Sequence, residues 1–436
     1  MFKYQSLFFC GCALGLLSIS ACTHKVLPEG TRVAVLSQGS PVKPVSAGKA
    51  AQISLSSPTA TDWLQNEANA QHVMPNAKVS AEFAKQWKSD FGTGSSKREI
   101  LMAKPLIKGH TVYMLDAEGI LSAFDLADGK NLWRVELVPE NNNIGSTAMK
   151  GVGLAIDGDT IYITTGFGVV AAAKTKDGSK IWEQNLRTPL RIAPVVANGK
   201  VFVQSVDNHF YTLSAANGKV LWTYDIAMEN TTVVGGAMPA YSPALDMVVT
   251  GFSNGEIQAF GATIGTPLWS DSLIDNRYVY SSTYLHTIKA SPVIEGEKLY
   301  ALGSADTFAA INLRNGNRLW EKKIGGVNTP LLSGNALFVI TNNNELAALD
   351  KTNGNVLWST ALDLGKNADK VNVYAPVMLN DRLIIALSDG NVLVHNPQTG
   401  KQLQKVDLNE DLNSAPVAGQ GYILFTTTNA KIIAYK

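Results

Sequence analysis

The chain has 436 residues, 45% of them hydrophobic, with 37 Lys and Arg against 36 Asp and Glu. That is enough apolar material for a large core, and a balance of charge that argues against nucleic acid as a natural partner. Two of the three cysteines, Cys10 and Cys12, lie in the first apolar run, so the rest of the chain holds only Cys22 and no internal disulfide.

Residues 1–21 read as an export signal. Lys3 precedes an apolar run from Leu7 to Ile19, too short to span a bilayer comfortably and ending in small residues. The segment Leu17-Ser18-Ile19-Ser20-Ala21-Cys22 resembles a bacterial lipobox. In that reading Cys22 is acylated, becomes the mature N-terminus and holds the protein on a membrane surface. An ordinary signal peptide with a chance cysteine is the alternative. Thr23 stands after the cysteine in place of Asp, and the resemblance to bacterial lipoproteins then implies the outer membrane, on its periplasmic face.

Residues 22–79 are rich in Ser, Ala, Pro and Thr and poor in apolar periodicity, which reads as a lipidated tether. Trp63 leaves two readings open: packing onto the body, or a stray aromatic in a linker.

Residues 80–436 are a repeat array. The unit is clearest in the stretch from Gly334 to Trp358. Ala336–Thr341 is a strand rich in β-branched and aromatic residues, Asn342–Asn344 a polar break, Glu345–Asp350 a second strand and Thr352-Asn353-Gly354 a turn. A third strand follows and ends on Trp358, and Pro330 opens a further one ahead of the unit. A small residue, a polar one, Gly and Trp recur at one spacing. Ala123, Asp125, Gly129 and Trp133 fit it, as do Ala348, Asp350, Gly354 and Trp358. The sets ending in Trp182 and Trp320 fit with Lys174 or Asn312 for Asp, and those ending in Trp222 and Trp269 fit loosely. A seventh set, Val394, Asn396 and Gly400, carries Gln404 in the Trp position. Strand-opening prolines stand at Pro105, Pro194, Pro243, Pro292, Pro330, Pro376 and Pro416, with Gly153-Leu154 as a degraded copy.

The period of roughly 40–50 residues is that of four-stranded propeller blades. The expected fold is all-β: an eight-bladed β-propeller of four-stranded antiparallel blades. Trp87 has no earlier strands for its own blade, and the C-terminal three strands lack a Trp strand. The strand around Trp87 is therefore expected to complete the last blade and close the ring, removing free edges. Trp87, Trp133, Trp182, Trp222, Trp269, Trp320 and Trp358 are assigned to packing between blades, where a ring covers much apolar area and the indole N–H can reach a carbonyl.

The motif Ala-x-Asp-x-x-x-Gly-x-x-x-Trp resembles the tryptophan-docking repeat of the quinoprotein propellers, over roughly Phe83 to the C-terminus. Within that superfamily the lipobox, the tether and the absence of inserted domains are similar to the BamB family of outer-membrane assembly factors. Ser281–Pro292, with the segment after Trp269, resembles the α-proteobacterial branch. The resemblance implies a non-catalytic scaffold of the β-barrel assembly machinery that aids insertion of outer-membrane proteins. The implied partners are the POTRA repeats of a BamA-like barrel protein and the other lipoproteins of the machinery. Unfolded outer-membrane strands, captured at a blade edge, are a further partner open to such a fold.

The alternative is a periplasmic dehydrogenase relative dependent on quinone and Ca²⁺. Those enzymes carry an adjacent cysteine pair, which the chain past Cys22 lacks, and a carboxylate cage for Ca²⁺. Here the carboxylates sit at turn positions such as Asp125, Asp157 and Asp177, and the six His residues show no zinc-like spacing. No cofactor and no metal are expected.

Loops carry function on such rings. The loops 227–241 and 273–289 stand out. The first holds the apolar stretch Thr231 to Gly236; the second holds Arg277, Tyr278, Tyr280 and Tyr284, residue types enriched at interface hot spots. The resemblance places barrel-protein contacts on these two loops, at positions that fall here on Thr231, Val233 and Val234 and on Thr287 and Lys289. The family's Arg and acids are absent from those positions, with Asp275 and Arg277 as alternative charges. Folding of the loop aromatics back onto the ring is the competing reading.

Overall fold

A computed structural model describes residues 42–44, 52–80, 83–96, 100–137, 151–226, 235–274, 286–366 and 368–436. They form eight sheets arranged as the blades of a propeller, each built on four antiparallel strands that are consecutive in sequence in blades 1 to 7. Blade 6 is typical, with Leu331–Ser333, Ala336–Ile340, Glu345–Asp350 and Val356–Ala361. The apolar run of the second strand is buried at every position because neighbouring blades cover both of its faces. The outer strands alternate exposed and half-buried residues, as in Asn131–Glu136 and Val220–Asp225. Among the described residues the only helix is the single 3₁₀ turn Ala368–Lys370.

The short first strands of neighbouring blades lie against one another, which places them around the axis. Leu106–Lys108 of blade 1 touches both Gly153–Asp157 of blade 2 and Val417–Gly419 of blade 8, so the ring is closed. In blade 8 the outer strand is Lys85–Asp90, paired antiparallel with Lys431–Tyr435. The expected closure by the strand around Trp87 is the observed one. One strand-opening proline differs from expectation. Blade 4 begins at Ala240–Ser242, directly after Pro239, and Pro243 stands past its end. Both prolines flank a three-residue strand, and spacing alone did not separate them.

The repeat motif interlocks adjacent blades. Within a blade the small residue and the Trp are cross-strand partners: Ala123 with Trp133, Ala172 with Trp182, Ala348 with Trp358, and in the closing blade Ala434 with Trp87. A bulge one residue before each Trp sets this register, and a large ring opposite a methyl fits without overpacking. The Trp then reaches the next blade. Trp87 Nε1 donates to the Leu126 carbonyl at 2.9 Å, Trp269 to Leu313 at 2.8 Å, Trp320 to Lys351 at 3.0 Å and Trp358 to Pro397 at 3.0 Å. The ring lies on the turn glycine of that next blade. A Cβ built on Gly400 would stand 2.5 Å from Trp358, and one on Gly354 2.7 Å from Trp320; both glycines have positive φ. The motif glycine is thus fixed twice, by its left-handed backbone and by the ring on top of it.

Gln404 now has an explanation. The blade after it is blade 8, whose third and fourth strands come from opposite ends of the sequence. No turn glycine joins them, so a Trp at position 404 would have no seat.

Residues 52–79, read from sequence as part of a tether, lie on the propeller. Trp63 is only 1% exposed. From Thr61 the chain makes a circuit of the first strands. The Thr61 carbonyl accepts from Gln420 N (blade 8), and Trp63 exchanges two backbone bonds of 2.9 Å with Ile107 (blade 1). Leu64 accepts from Ile156 N (blade 2), Ala70 from Tyr241 N (blade 4) and Gln71 from Ile294 N (blade 5). The Gln65 amide bonds Val196 (blade 3), and Val73 packs on the apolar cluster of blades 5 and 6. Asn76–Ala77 runs parallel to Val377–Leu379 as a fifth strand of blade 7, and Val79 bridges to Gly421 of blade 8. The circuit closes on itself where Thr59 bridges Ala77.

Candidate functional site

Of the residues singled out on the two loops, Thr231, Val233, Val234, Asp275 and Arg277 lie outside the described residues, as does Cys22. Thr287 and Lys289 are described, and so are the ends from which both loops spring. The structure brings these ends together. Ala237 N donates to the Ile288 carbonyl at 3.2 Å, and Met238 N donates to Ser291 Oγ at 3.1 Å. Ile288 N in turn donates to the Phe252 carbonyl of blade 4. Two loops far apart in sequence are thereby anchored on one another, with Met238 and Ser291 separated by 53 positions, because each enters the first strand of one of two adjacent blades.

Thr287 is buried, at 2% exposure, and its carbonyl accepts from Ser304 Oγ at 2.9 Å. Its place in the apolar floor of the loop root, beside Ile288, makes it a packing residue. Lys289 is half-buried, and desolvation holds its ammonium below the usual lysine range. A Cβ at Gly235, where the described part of the first loop resumes, would lie 3.9 Å from Lys289 Cε and from Met102 Cε.

Beside them stands a residue the sequence did not single out. Arg191 is 2% exposed and leads into the first strand of blade 3. Its Nη2 donates to Asn208 Oδ1 at 3.1 Å, and its Nε would lie 3.1 Å from a Cβ at Gly236. Burial pulls its guanidinium down to about 10, against the opposing pull of Asp207. The one available signal was an arginine inside the apolar run Leu190-Arg191-Ile192-Ala193, a pattern equally open to an exposed strand position.

Acid–base chemistry has little footing in this geometry. His209 of blade 3 contacts Asp225 and, at 3.4 Å, Asp207. Ser205 Oγ donates to Asp207 and meets His209 only through its backbone, accepting from His209 N at 3.1 Å and bonding its carbonyl at 3.2 Å, so the imidazole does not hold the serine as a base would. Among the described residues no group of three or more His, Cys, Asp or Glu could hold a metal. Near the axis Glu67 pairs with Lys104 at 3.1 Å.

Comparison with known proteins agrees with this architecture. The family model described as outer membrane protein assembly factor BamB matches residues 117–360 and 328–436. BamB of Yersinia pestis is 25% identical over 376 residues, spanning 85% of this chain and 93% of its own. BamB of Vibrio cholerae is 32% identical over 246 residues, 56% of this chain and 62% of its own. The crystal structure of BamB from Moraxella catarrhalis superposes with a TM-score of 0.69 at 17% identity, covering 81% of this chain and 99% of that one. The quinohemoprotein alcohol dehydrogenase of Comamonas testosteroni shares the fold, with a TM-score of 0.65 at 12% identity over 86% of this chain and 80% of that one. The family match runs through most of the blades and their docking motifs, and on that ground the chain belongs to the BamB family of outer-membrane protein assembly factors.

Proposed function

We propose that the protein is a non-catalytic scaffold of the outer-membrane β-barrel assembly machinery. It is lipid-anchored through Cys22 at the periplasmic face and docks the POTRA repeats of a BamA-like barrel protein through loops 227–241 and 273–289. Family membership supports the assembly role. The observation that supports the surface is the tie between the two loop roots, Ala237 N to the Ile288 carbonyl. It makes one platform of two loops and fixes their relative position before a partner arrives, which lowers the ordering cost of binding. Half-buried Lys289 gives that root a cation, so the pairing chemistry toward the partner includes acceptors and acids.

The dehydrogenase fold-relatives raise the alternative of a quinone with Ca²⁺. The residues present do not fit it. Ca²⁺ takes six to eight oxygen ligands. The buried Glu67 carboxylate is already paired with Lys104 at 3.1 Å, and among the described residues no group of three or more His, Cys, Asp or Glu could hold a metal.

The test is co-purification of the full-length tagged protein from its native envelope in mild detergent. Recovery of a BamA-like barrel protein in near-equal amount is the expected result. The Val233→Arg variant is expected to lose most of that partner with thermal unfolding unchanged. Undiminished recovery with Val233→Arg removes the first loop from the site; recovery of redox proteins in place of the barrel protein overturns the scaffold reading.

A further inference from the structure

We propose that residues 61–79 are the latch of the ring, a single segment that locks the junctions on either side of blade 8.

The starting point is a weakness in the repeat. Elsewhere a Trp of one blade docks on the turn glycine of the next. From blade 7 to blade 8 that dock is missing, since Gln404 replaces the Trp and the receiving turn does not exist. The circuit segment bridges this junction. Asn380 of blade 7 grips Val79 from both sides: its Oδ1 accepts from Val79 N at 3.1 Å and its Nδ2 donates to the Val79 carbonyl at 2.7 Å. Val79 in turn bridges to Gly421 of blade 8. Ala77 accepts from Asn380 N at 3.1 Å, and Asn76 exchanges bonds of 2.7 and 3.2 Å with Asp381.

The other junction, from blade 8 to blade 1, is stapled by one carboxylate. Asp62 Oδ1 accepts from Gly109 N of blade 1 at 2.9 Å and from Gln420 Nε2 of blade 8 at 2.8 Å. Both locks therefore belong to one stretch of chain, whose middle runs past the remaining blades. Each first strand presents an unpaired edge toward the axis, and the segment supplies partners to Ile107, Ile156, Val196, Tyr241 and Ile294 in turn. A single contact of this kind is weak. Joined on one chain they act together, because each bond holds the others at high local concentration. The latch is thus expected to dock and release as a unit. Trp63, Glu67 and His72 of the segment are all buried against the ring.

Hydrogen exchange of the full-length chain, read by mass spectrometry, tests this. The variants are Trp63→Ala, at blade 1, and Gln65→Ala, which touches blade 3 only. Release as a unit predicts that both raise exchange at least tenfold in strands 377–379 and 417–419, to which neither altered side chain is hydrogen-bonded. The third strand 345–350 keeps its wild-type rate. A rise confined to 106–108 and 195–197 overturns the proposal, because it marks local packing alone. A uniform rise that includes 345–350 overturns it as well, because it marks general destabilisation. The inference is independent of the assembly role and stands or falls without it.

Discussion

The Gln65 side chain treats Val196 as a neighbouring strand would. Its Nε2 donates to the Val196 carbonyl at 2.7 Å and its Oε1 accepts from Val196 N at 3.2 Å, with Gln65 itself 7% exposed. A primary amide has the same donor–acceptor pair as a peptide unit, so one side chain completes a strand edge without a strand. Gln65→Glu is isosteric but has no donor, and it leaves the Val196 carbonyl facing a buried carboxylate. Gln65→Ala is expected to cost about 1–3 kcal/mol, and Gln65→Glu more than that. Chemical denaturation of both variants checks the order; equal losses would mean that water replaces the amide.

The double constraint on the motif glycines can be separated by a matched pair. Gly199 and Gly400 have nearly equal φ, +69° and +72°, but a Cβ on Gly199 meets nothing within 4 Å while one on Gly400 meets Trp358. Gly199→Ala should lose about 1–2 kcal/mol to the left-handed backbone alone. Gly400→Ala should lose a further 1–3 kcal/mol to overpacking. Equal unfolding midpoints for the two variants would remove the ring contact as a cause.

Gln404→Trp restores the motif in sequence and not in space. With no turn glycine on blade 8 to receive the ring, the change is expected to leave stability within about 0.5 kcal/mol of the parent. A clear gain in the thermal midpoint would reveal a second way to seat the indole.

His72 gives the latch a pH dependence. It is fully buried, with Nδ1 at 2.8 Å from the Pro292 carbonyl and therefore carrying the proton toward it. Desolvation is the largest influence and lowers its pKa; Glu67 and the Pro292 carbonyl oppose this, and Lys104 adds to it. A folded pKa below the unfolded value of about 6.5 means that the histidine's contribution is complete above that pH and is lost as pH falls below it. Exchange protection of residues 61–79 should therefore drop between pH 7 and pH 5. His72→Gln should flatten that drop; an unchanged profile in the variant assigns it to another group.

The ring was legible in sequence because its determinants repeat. Trp, Gly and the small residue opposite Trp recur with the blade, and even the closing strand announced itself through an unaccompanied Trp87. Pro239 and Pro243 were not separable, since a three-residue strand is too short for spacing to choose its end. The latch left almost no trace. Its bonds run through backbone groups and single polar side chains such as Gln65, Asp62 and Asn76, each meeting a different blade, so no periodicity arises. Only Trp63 stood out. At the root of the two loops, Lys289 was singled out from family position alone, and Arg191 left no decisive signal, since its neighbour Gly236 comes from the approach to the next blade.

Blades 1 to 7 are built from neighbouring hairpins, but the ion pair between Asp90 and Lys431 in blade 8 joins residues 341 positions apart. Contacts of such separation carry a large loop-closure entropy and form slowly. A chain emerging from a ribosome or a translocation pore can assemble seven hairpin stacks in order while its first strand still waits for its last. The interval before residue 431 arrives is when an open arc exposes two sheet edges, and the kinetics of that one pairing set how long the molecule is vulnerable to proteases and to edge-to-edge association.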